Sequence, residues 1–155
     1  MYKRISRIVR AEPRVIYELA AAVEAWPRLL PHYRWVRVLA TDGDRHRTVD
    51  MAARRDVIGK LGVPLRWTAV QTLYPESARI EFEHVRGISR GMQVAWTIDR
   101  DPADPSRVLV EITHRFAPRW PVPDALVSAV VGEYFVNGVA KRTLAQLGDL
   151  AELPS

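Results

Sequence analysis

Two histidines occupy equivalent places in two segments of the chain, and they are the side chains best suited to proton chemistry. His84 ends one series of alternating apolar residues, and His114 lies near the end of another. Because residues two apart point to the same face of a strand, both imidazoles are expected at one end of an apolar sheet face. An imidazole there can serve as general acid or base near neutral pH. The alternative, a buried structural histidine bonded to the backbone, stays open for each.

The sequence contains no pattern for metal, cofactor or cysteine chemistry. The histidines, His32, His46, His84 and His114, show no close ligand spacing and no accompanying carboxylate. No glycine-rich phosphate loop or dinucleotide fingerprint is present, so we expect no cofactor. Without cysteine the chain has no disulfide, thiolate site or cysteine nucleophile, which fits a cytoplasmic location.

Residues 87–91 read Gly-Ile-Ser-Arg-Gly and match the G-x-S-x-G pattern of hydrolase nucleophile elbows. That motif needs a strand before it and a helix after it, with an aspartate and a histidine to complete a triad. Here an alternating segment follows, and His114 lies within another strand. We therefore interpret residues 87–91 as a hairpin loop and not as a nucleophile site.

Composition and charge restrict the class of protein. The 155 residues, 48% of them hydrophobic, are enough for a single domain over residues 1–155 with its own core. No apolar run could cross a bilayer, and the alternating N-terminal residues do not form a signal peptide. The net charge of +5 comes mainly from arginines scattered among carboxylates, which indicates a solvated surface and argues against nucleic-acid binding. We expect a monomer or a homodimer.

The segment Pro121–Leu150 predicts one long amphipathic helix, because apolar residues recur along it at three- and four-residue steps. Its prolines suit the first turn, and Asp124 lies where the helix dipole favours an anion. Gly132 and Gly138 lie inside the helix, and each costs about 1 kcal/mol relative to alanine.

The chain before that helix alternates in the manner of strands, apart from two short helical stretches. A helix is predicted over Pro13–Ala22, and a helical turn between Glu24 and Pro31. Glycine- and proline-containing turns divide the rest into about seven strands, joined mostly by hairpins and therefore antiparallel. The predicted strands are Tyr2–Arg10, Tyr33–Ala40, Arg47–Val57, Val63–Leu73, Ala78–Val85, Met92–Arg100 and Arg107–Phe116.

The last three strands each have one apolar and one charged face, so one side of the sheet must be covered. The long C-terminal helix is the only predicted element large enough to cover it, which gives an α+β fold. The apolar face is predicted to carry Ile80, Phe82, His84, Met92, Val94, Trp96, Ile98, Val108, Val110, Ile112, His114 and Phe116.

The order of one strand, two short helices, six strands and a long helix resembles the helix-grip fold of the START-like (SRPBCC) superfamily. Residues 11–19, Ala-Glu-Pro-Arg-Val-Ile-Tyr-Glu-Leu, carry part of the similarity. Residues 23–33, Val-Glu-Ala-Trp-Pro-Arg-Leu-Leu-Pro-His-Tyr, are similar to the D-x-E-x-W-P-x-x-x-P-x-Y/C signature of the polyketide cyclase/dehydrase branch. Residues 87–98 are similar to that family's glycine-containing loop and following strand. The resemblance implies a curved sheet of about seven antiparallel strands wrapped around the C-terminal helix.

The resemblance further implies a cavity between sheet and helix for a hydrophobic, ring-containing molecule such as a polyketide, a quinone, a sterol or another lipid. Gly132 and Gly138, together with Ala53 and Ala69 at inward positions, could leave the space for it. The glycines could equally allow the helix to pack closely on the sheet. Both interpretations stay open.

The family's pocket typically includes the tryptophan and tyrosine of the first signature, here Trp26 and Tyr33. It also includes a W-x-S-x-R strand, which aligns with residues 67–71. The tryptophan is kept as Trp67, but the serine is replaced by Ala69 and the arginine by Gln71. Glutamine carries no positive charge to stabilise an enolate, so the usual electrostatic contribution to cyclase chemistry is missing.

Face assignment and resemblance together define the expected site. Tyr33, His84 and His114 are the candidates for acid–base catalysis. The expected ligand-binding residues are Trp26, Tyr33, Trp67, Gln71, Phe82, His84, Met92, Trp96, His114, Phe116, Tyr134 and Gly138.

Three functions follow from these expectations. The first is binding of a hydrophobic small molecule between sheet and helix, with a few polar anchors. The second is an enzyme, a polyketide aromatase/cyclase or dehydratase that uses the acid–base candidates. The third is a non-catalytic interaction protein or a lipid or quinone chaperone.

Overall fold

A computed structural model describes residues 1–56, 62–117 and 123–154, and it contains one seven-stranded antiparallel sheet. The order across the sheet is β1-β7-β6-β5-β4-β3-β2, so sequential strands from β2 to β7 pair as hairpins and β1 joins β7. This confirms the predicted fold class; the predicted strand end at Val57 lies outside the described residues. The strands are β1 (Tyr2–Val9), β2 (Tyr33–Asp42), β3 (His46–Asp56), β4 (Gly62–Tyr74), β5 (Arg79–Gly87), β6 (Gln93–Asp101) and β7 (Asp104–Arg115).

Two short helices follow β1, as predicted. α1 (Pro13–Ala21) begins at a proline, and α2 (Trp26–Leu29) follows a 3-10 turn over Val23–Ala25. Another 3-10 turn, Pro75–Ser77, joins β4 to β5. None of the helices in the described part of the chain is long and apolar enough to span a membrane.

The C-terminal helix has three consecutive parts: α3 (Asp124–Val131), a π-helical segment (Gly132–Ala140) and α4 (Lys141–Ala151). The hydrogen bond from Lys141 N–H to Val136 O spans five residues, which is the π-helical spacing. The proposed helix start at Pro121 lies outside the described residues. The π-helical segment was not predicted from the sequence.

Within the described residues, the buried side chains of the C-terminal helix fall into two four-residue series that are offset by one residue, so consecutive buried positions are mostly one or three residues apart. Four residues of α-helix overshoot one turn by about 40°, so a strict four-residue repeat would drift around the helix. A π-helical stretch winds more slowly and keeps the repeat on one face. The buried residues are Val131, Gly132, Phe135, Val136, Val139, Thr143, Leu144, Leu147, Gly148 and Ala151.

The predicted apolar sheet face is confirmed. Every residue assigned to it from Ile80 to Phe116 is less than a tenth exposed. The opposite face carries charged side chains such as Arg4 and Glu111, which form an ion pair across β1 and β7. The C-terminal helix packs on the apolar face, and α1 and α2 complete its cover.

The guanidinium of Arg7 lies across the C-terminal helix at Gly148. It donates to the carbonyl oxygen of Ala145 and, at 2.8 Å, to Oδ1 of Asp149, and it lies 3.5 Å from a carboxylate oxygen of Glu152. A Cβ atom on Gly148 would lie 2.6 Å from that guanidinium. Arg7 therefore fills the space that this glycine leaves and ties β1 to the helix.

We expect Gly148→Ala to destabilise the protein by about 1 kcal/mol, because the new methyl group displaces Arg7 from its hydrogen bonds. In an Arg7→Ala background the same change is expected to stabilise by up to about 1 kcal/mol, since alanine favours a helix more than glycine does. Urea denaturation of the four proteins measures both effects. Equal effects in the two backgrounds would show that Arg7 is not the reason for the glycine.

Candidate functional site

A cavity lies between the apolar sheet face and the C-terminal helix. Its volume is about 60 Å³, below the roughly 300–1,000 Å³ of typical small-molecule sites, so the cavity is narrow as it stands. A ring-containing ligand would therefore have to displace lining side chains to enter. The described lining residues are Trp26, Tyr33, Met51, Trp67, Phe82, His84, Met92, Val94, Trp96, Ile112, His114, Phe135, Val139, Ala140 and Thr143.

Most of the residues expected at the ligand site line this cavity. They come from α2, from the start of β2, from the inward faces of β4 to β7 and, in the case of Met92, from the residue just before β6. The expected residues that line it are Trp26, Tyr33, Trp67, Phe82, His84, Met92, Trp96 and His114, and those that the structure places elsewhere are Gln71, Phe116, Tyr134 and Gly138.

Gln71 is fully buried, but it lies beneath α1 and not beside the cavity. Its Nε2 donates to Ala21 O at 3.0 Å, and its Oε1 accepts from Nε and from a terminal nitrogen of Arg47. Arg47 also donates to Ala21 O at 2.9 Å. Gln71 therefore satisfies the C-terminal end of α1 and joins it to the sheet. Gln71, predicted as a polar anchor for the ligand, thus lies on the inward sheet face but beneath α1 and outside the described cavity lining.

The helix contributes different residues to the cavity from those predicted. The π-helical winding directs Phe135 and Val139 into the cavity, while Tyr134 and Gly138 are half-buried outside its lining. A Cβ atom on Gly132 would lie 3.6 Å from Lys3 Cε, so this glycine faces β1.

The inward alanines and Phe116 also lie apart from the cavity. Ala53 and Ala69 are buried in the core and do not line the cavity. Phe116 is buried just after β7, where its N–H donates to Met1 O.

Several lining residues were not predicted as site residues. Val94 and Ile112 were on the predicted apolar face, and Met51 belongs to the inward alternation of β3. The helix residues could have been found from the four-residue repeat of small and apolar side chains. The unpredicted lining residues are Met51, Val94, Ile112, Phe135, Val139, Ala140 and Thr143.

Aromatic rings form a continuous series around the cavity. Trp26 lies 5.1 Å from Tyr33 and 6.2 Å from Trp96, measured between ring centroids. Tyr33 meets Trp67 edge-on at 6.3 Å, and Trp67 meets Phe135 edge-on at 5.0 Å. Such rings present rigid apolar faces, which suits a flat hydrophobic ligand.

His84 is held on three sides. Its ring lies parallel to that of Trp67, with 5.9 Å between centroids, and meets Phe135 edge-on at 5.6 Å. Its Nδ1 lies 2.6 Å from Oγ of Ser89. Burial, with a smaller effect of nearby His114, lowers the pKa of His84 from 6.5 to about 3, so the ring is neutral at physiological pH.

His114 is the second buried imidazole of the cavity. Its Nδ1 is buried and has no hydrogen-bond partner in the described part of the chain. Burial lowers its pKa from 6.5 to about 4, and a hydrogen bond with the Lys3 backbone opposes that shift. The cavity therefore holds two neutral imidazoles.

A hydroxyl network closes the opposite part of the lining. Thr143 Oγ1 donates to Val139 O at 2.9 Å and lies 2.9 Å from His32 Nε2 and 3.2 Å from the Tyr33 hydroxyl. Because the threonine proton is used, both neighbours must donate to Thr143. Burial raises the pKa of Tyr33, and the bond with Thr143 opposes that shift only in part. The Tyr33 proton is therefore engaged, and Tyr33 is a poor general acid in this arrangement.

The loop Gly87–Gly91 joins β5 to β6, as its interpretation as a hairpin loop requires. Ser89 is fully buried and bonded to His84, with strands on both sides of the loop. This is not the strand–turn–helix geometry of a nucleophile elbow.

No charged side chain occurs among the described residues that line the cavity. Arg66 lies on the opposite sheet face, where it bonds to Asp50 Oδ2 at 3.0 Å. Within residues 1–56, 62–117 and 123–154, no three metal-binding side chains come together. The cavity as described is thus apolar, with uncharged hydrogen-bonding groups.

Comparison with solved structures shows the same architecture in several proteins. Protein TTHA0849 from Thermus thermophilus matches with a TM-score of 0.75 and 19% identity, over 96% of this chain and 95% of that one. The ZhuI aromatase/cyclase from Streptomyces sp. R1128 matches with a TM-score of 0.74 and 22% identity, over 98% and 93%. A START superfamily protein from Mycobacterium smegmatis matches with a TM-score of 0.67 and 18% identity, over 96% and 98%. At these identities the likeness establishes the helix-grip fold.

The sequence itself matches a family model. None of the curated protein sequences matches this chain. The model for polyketide cyclase / dehydrase and lipid transport proteins, however, matches residues 9–140. The match covers most of the chain, so the chain belongs to the polyketide cyclase / dehydrase and lipid transport family.

Proposed function

We propose that this protein binds a hydrophobic, ring-containing small molecule in the cavity between the sheet and the C-terminal helix. The observation that supports the proposal is the described lining itself, which consists of aromatic and aliphatic side chains with only uncharged polar groups among them. Burial of a flat apolar ligand there would contribute about 25 cal/mol per Å² of apolar surface removed from water. The aromatase/cyclase among the similar structures supports a polycyclic or polyketide-like ligand.

Binding is favoured over cyclisation because the cavity has no cation among its described lining residues. Aldol closure develops negative charge on an enolate oxygen, and enzymes stabilise such charge with preorganised donors or cations. Ala69 and Gln71, which replace the family's serine and arginine, do not line the cavity either.

Filling the cavity should abolish binding without unfolding the protein. Ala140 lines the cavity, and Ala140→Phe is expected to weaken binding of 2-naphthol at least tenfold by occupying the space of the ligand. Isothermal titration calorimetry measures the affinity, and urea denaturation measures the stability.

Ala145→Phe provides the matched control, because Ala145 is exposed on the same helix. This control is expected to bind 2-naphthol like the wild type. If both variants bind equally well, the ligand does not occupy the cavity. If the wild type binds no uncharged aromatic compound, the proposal fails.

A second candidate is dehydration of a β-hydroxy ketone, and the pair of neutral imidazoles is the observation that favours it. One imidazole would take the proton from the carbon next to the carbonyl, and the imidazolium so formed would give that proton to the departing hydroxyl, which yields an enone and water and restores the neutral ring. His84 or His114 would hold this role, since the proton of Tyr33 is engaged by Thr143. Enone absorbance with an aryl β-hydroxy ketone tests this, and a wild-type rate equal to that of buffer removes the candidate.

A further inference from the structure

Ser89 carries a fully buried hydroxyl and does not line the ligand cavity. Its loop is closed by backbone hydrogen bonds from Arg90 to Gly87, from Met92 to Ser89 and from Gly91 to His84. These bonds turn the Ser89 side chain inward, where its Oγ lies 2.6 Å from Nδ1 of His84. The loop therefore holds a hydroxyl against one edge of a cavity imidazole.

The direction of that hydrogen bond follows from counting protons. A serine hydroxyl has one proton, and His84 Nδ1 is the only hydrogen-bond partner of Ser89 Oγ in the described residues. If Nδ1 donated, the buried serine proton would have no acceptor, which is costly. Ser89 therefore donates, Nδ1 accepts, and neutral His84 carries its proton on Nε2.

The proton on Nε2 faces the cavity. Ser89 does not line the cavity but holds the Nδ1 edge of the ring, so the opposite edge is the one that His84 contributes to the lining. Nε2 has no protein partner within the described ranges 1–56, 62–117 and 123–154. His84 is thus an unused hydrogen-bond donor in an apolar cavity.

His114 supplies a complementary acceptor. Its Nδ1 is buried without a partner among the described side chains and backbone groups. When the ring proton of His114 lies on Nε2, this buried Nδ1 has a free lone pair that a ligand hydroxyl can donate to.

We propose that His84 Nε2–H and His114 Nδ1 form a binding site for one uncharged hydroxyl group on the ligand ring, with Ser89 as the residue that positions His84 for it. This rests on the proposed function, since it specifies the ligand held in that cavity. A hydroxyl accepts from one imidazole and donates to the other, which neither an ether nor a hydrocarbon can do. A carboxylate would be buried without a cation and is disfavoured.

The experiment uses three probes of one shape: 2-naphthol, 2-methoxynaphthalene and naphthalene. The hydroxyl of 2-naphthol can donate and accept a hydrogen bond, and the ether oxygen of 2-methoxynaphthalene can only accept one. Naphthalene can do neither. Calorimetric titration of wild type and Ser89→Ala gives six affinities. We expect Ser89→Ala to weaken the binding of 2-naphthol about tenfold, which is the effect of one misaligned hydrogen bond. The binding of naphthalene should weaken less than twofold.

A spectroscopic readout separates positioning from a merely structural role. The ¹⁵N shifts of the His84 ring report which nitrogen carries the proton. In the wild type we expect the proton on Nε2, and in Ser89→Ala a mixture of tautomers. If Ser89→Ala does not fold, the wild-type tautomer and the order of the three probes still decide the proposal.

Each result has a distinct meaning. A proton on Nδ1 of His84 in the wild type would overturn the inference, as would equal loss of 2-naphthol and naphthalene affinity in Ser89→Ala. Tighter binding of 2-methoxynaphthalene than of 2-naphthol would also overturn it. If none of the three probes binds the wild type, the proposed function itself fails, and this inference fails with it.

Discussion

Replacing Gly87 by alanine is expected to destabilise the protein by about 3–5 kcal/mol, the largest single effect we predict. Gly87 has a φ of +103°, a conformation that side chains rarely adopt and that costs about 1–3 kcal/mol for other residues. A Cβ atom there would also lie 2.6 Å from the carbonyl oxygen of Arg66 and 3.1 Å from Cα of Trp67. Because both obstacles are backbone atoms of β4, no side-chain rotation can relieve the overlap.

Gly91, at the other end of the same loop, is the matched control. Its φ of +95° is similar, but the nearest atom to a new Cβ would be Ala117 O at 3.9 Å. Gly91→Ala should therefore show the conformational cost alone, about 1–3 kcal/mol. Urea denaturation of both variants measures the difference. Equal losses would show that the close approach of the loop to Trp67 contributes nothing.

Acid should destabilise the protein well before its carboxylates are protonated. In the unfolded chain a histidine titrates near 6.5, whereas burial lowers the pKa of His84 to about 3 and that of His114 to about 4. At pH values between the folded and unfolded pKa, the unfolded state binds more protons than the folded state. The histidines therefore cost no stability above pH 6.5, and the free energy of unfolding decreases as the pH falls below that value. Each histidine contributes a slope of up to about 1.4 kcal/mol per pH unit.

Between pH 4.5 and 6.5 the effect of histidine titration on stability is separated from that of the carboxylates. The pKa values of Glu76 and Asp104 are also lowered, but their ordinary values are 4.5 and 3.8, so their effect begins in more acidic solution. The free energy of unfolding from urea curves across this interval is the measurement. His84→Asn and His114→Asn should each reduce the slope and the double variant should remove most of it. An unchanged slope in the double variant would show that the imidazoles are not the cause.

The sheet was predictable from the sequence because apolar and polar residues alternate along each strand according to which face is buried. Every residue assigned to the apolar faces of β5, β6 and β7 is buried, and glycine and proline mark the turns between them. The covering helix was predictable for a similar reason, since only that segment is long enough to cover the apolar face. These features depend on local patterns of side chains.

The cavity was less predictable, because it depends on how elements meet. A π-helical segment moved Phe135 into the position expected for Tyr134, and no single-residue preference signals such winding. Strand alternation correctly places Gln71 on the inward face of β4. Alternation does not say, however, which helix covers that part of the sheet. The bond between Ser89 and His84 arises from the closed loop, and the G-x-S-x-G spacing gives no sign of it.

The central claim is that a ring-containing ligand occupies the cavity between sheet and helix, and the methionines allow a direct test of it. The chain has 3 methionines. Met51 and Met92 line the cavity, whereas Met1 lies beside Gly132 and outside that lining. In protein carrying ¹³C-labelled methionine methyl groups, titration with 2-naphthol is predicted to shift the Met51 and Met92 signals through ring currents and to leave Met1 unchanged. A shift confined to Met1, or no shift at any concentration of soluble probe, would contradict the account.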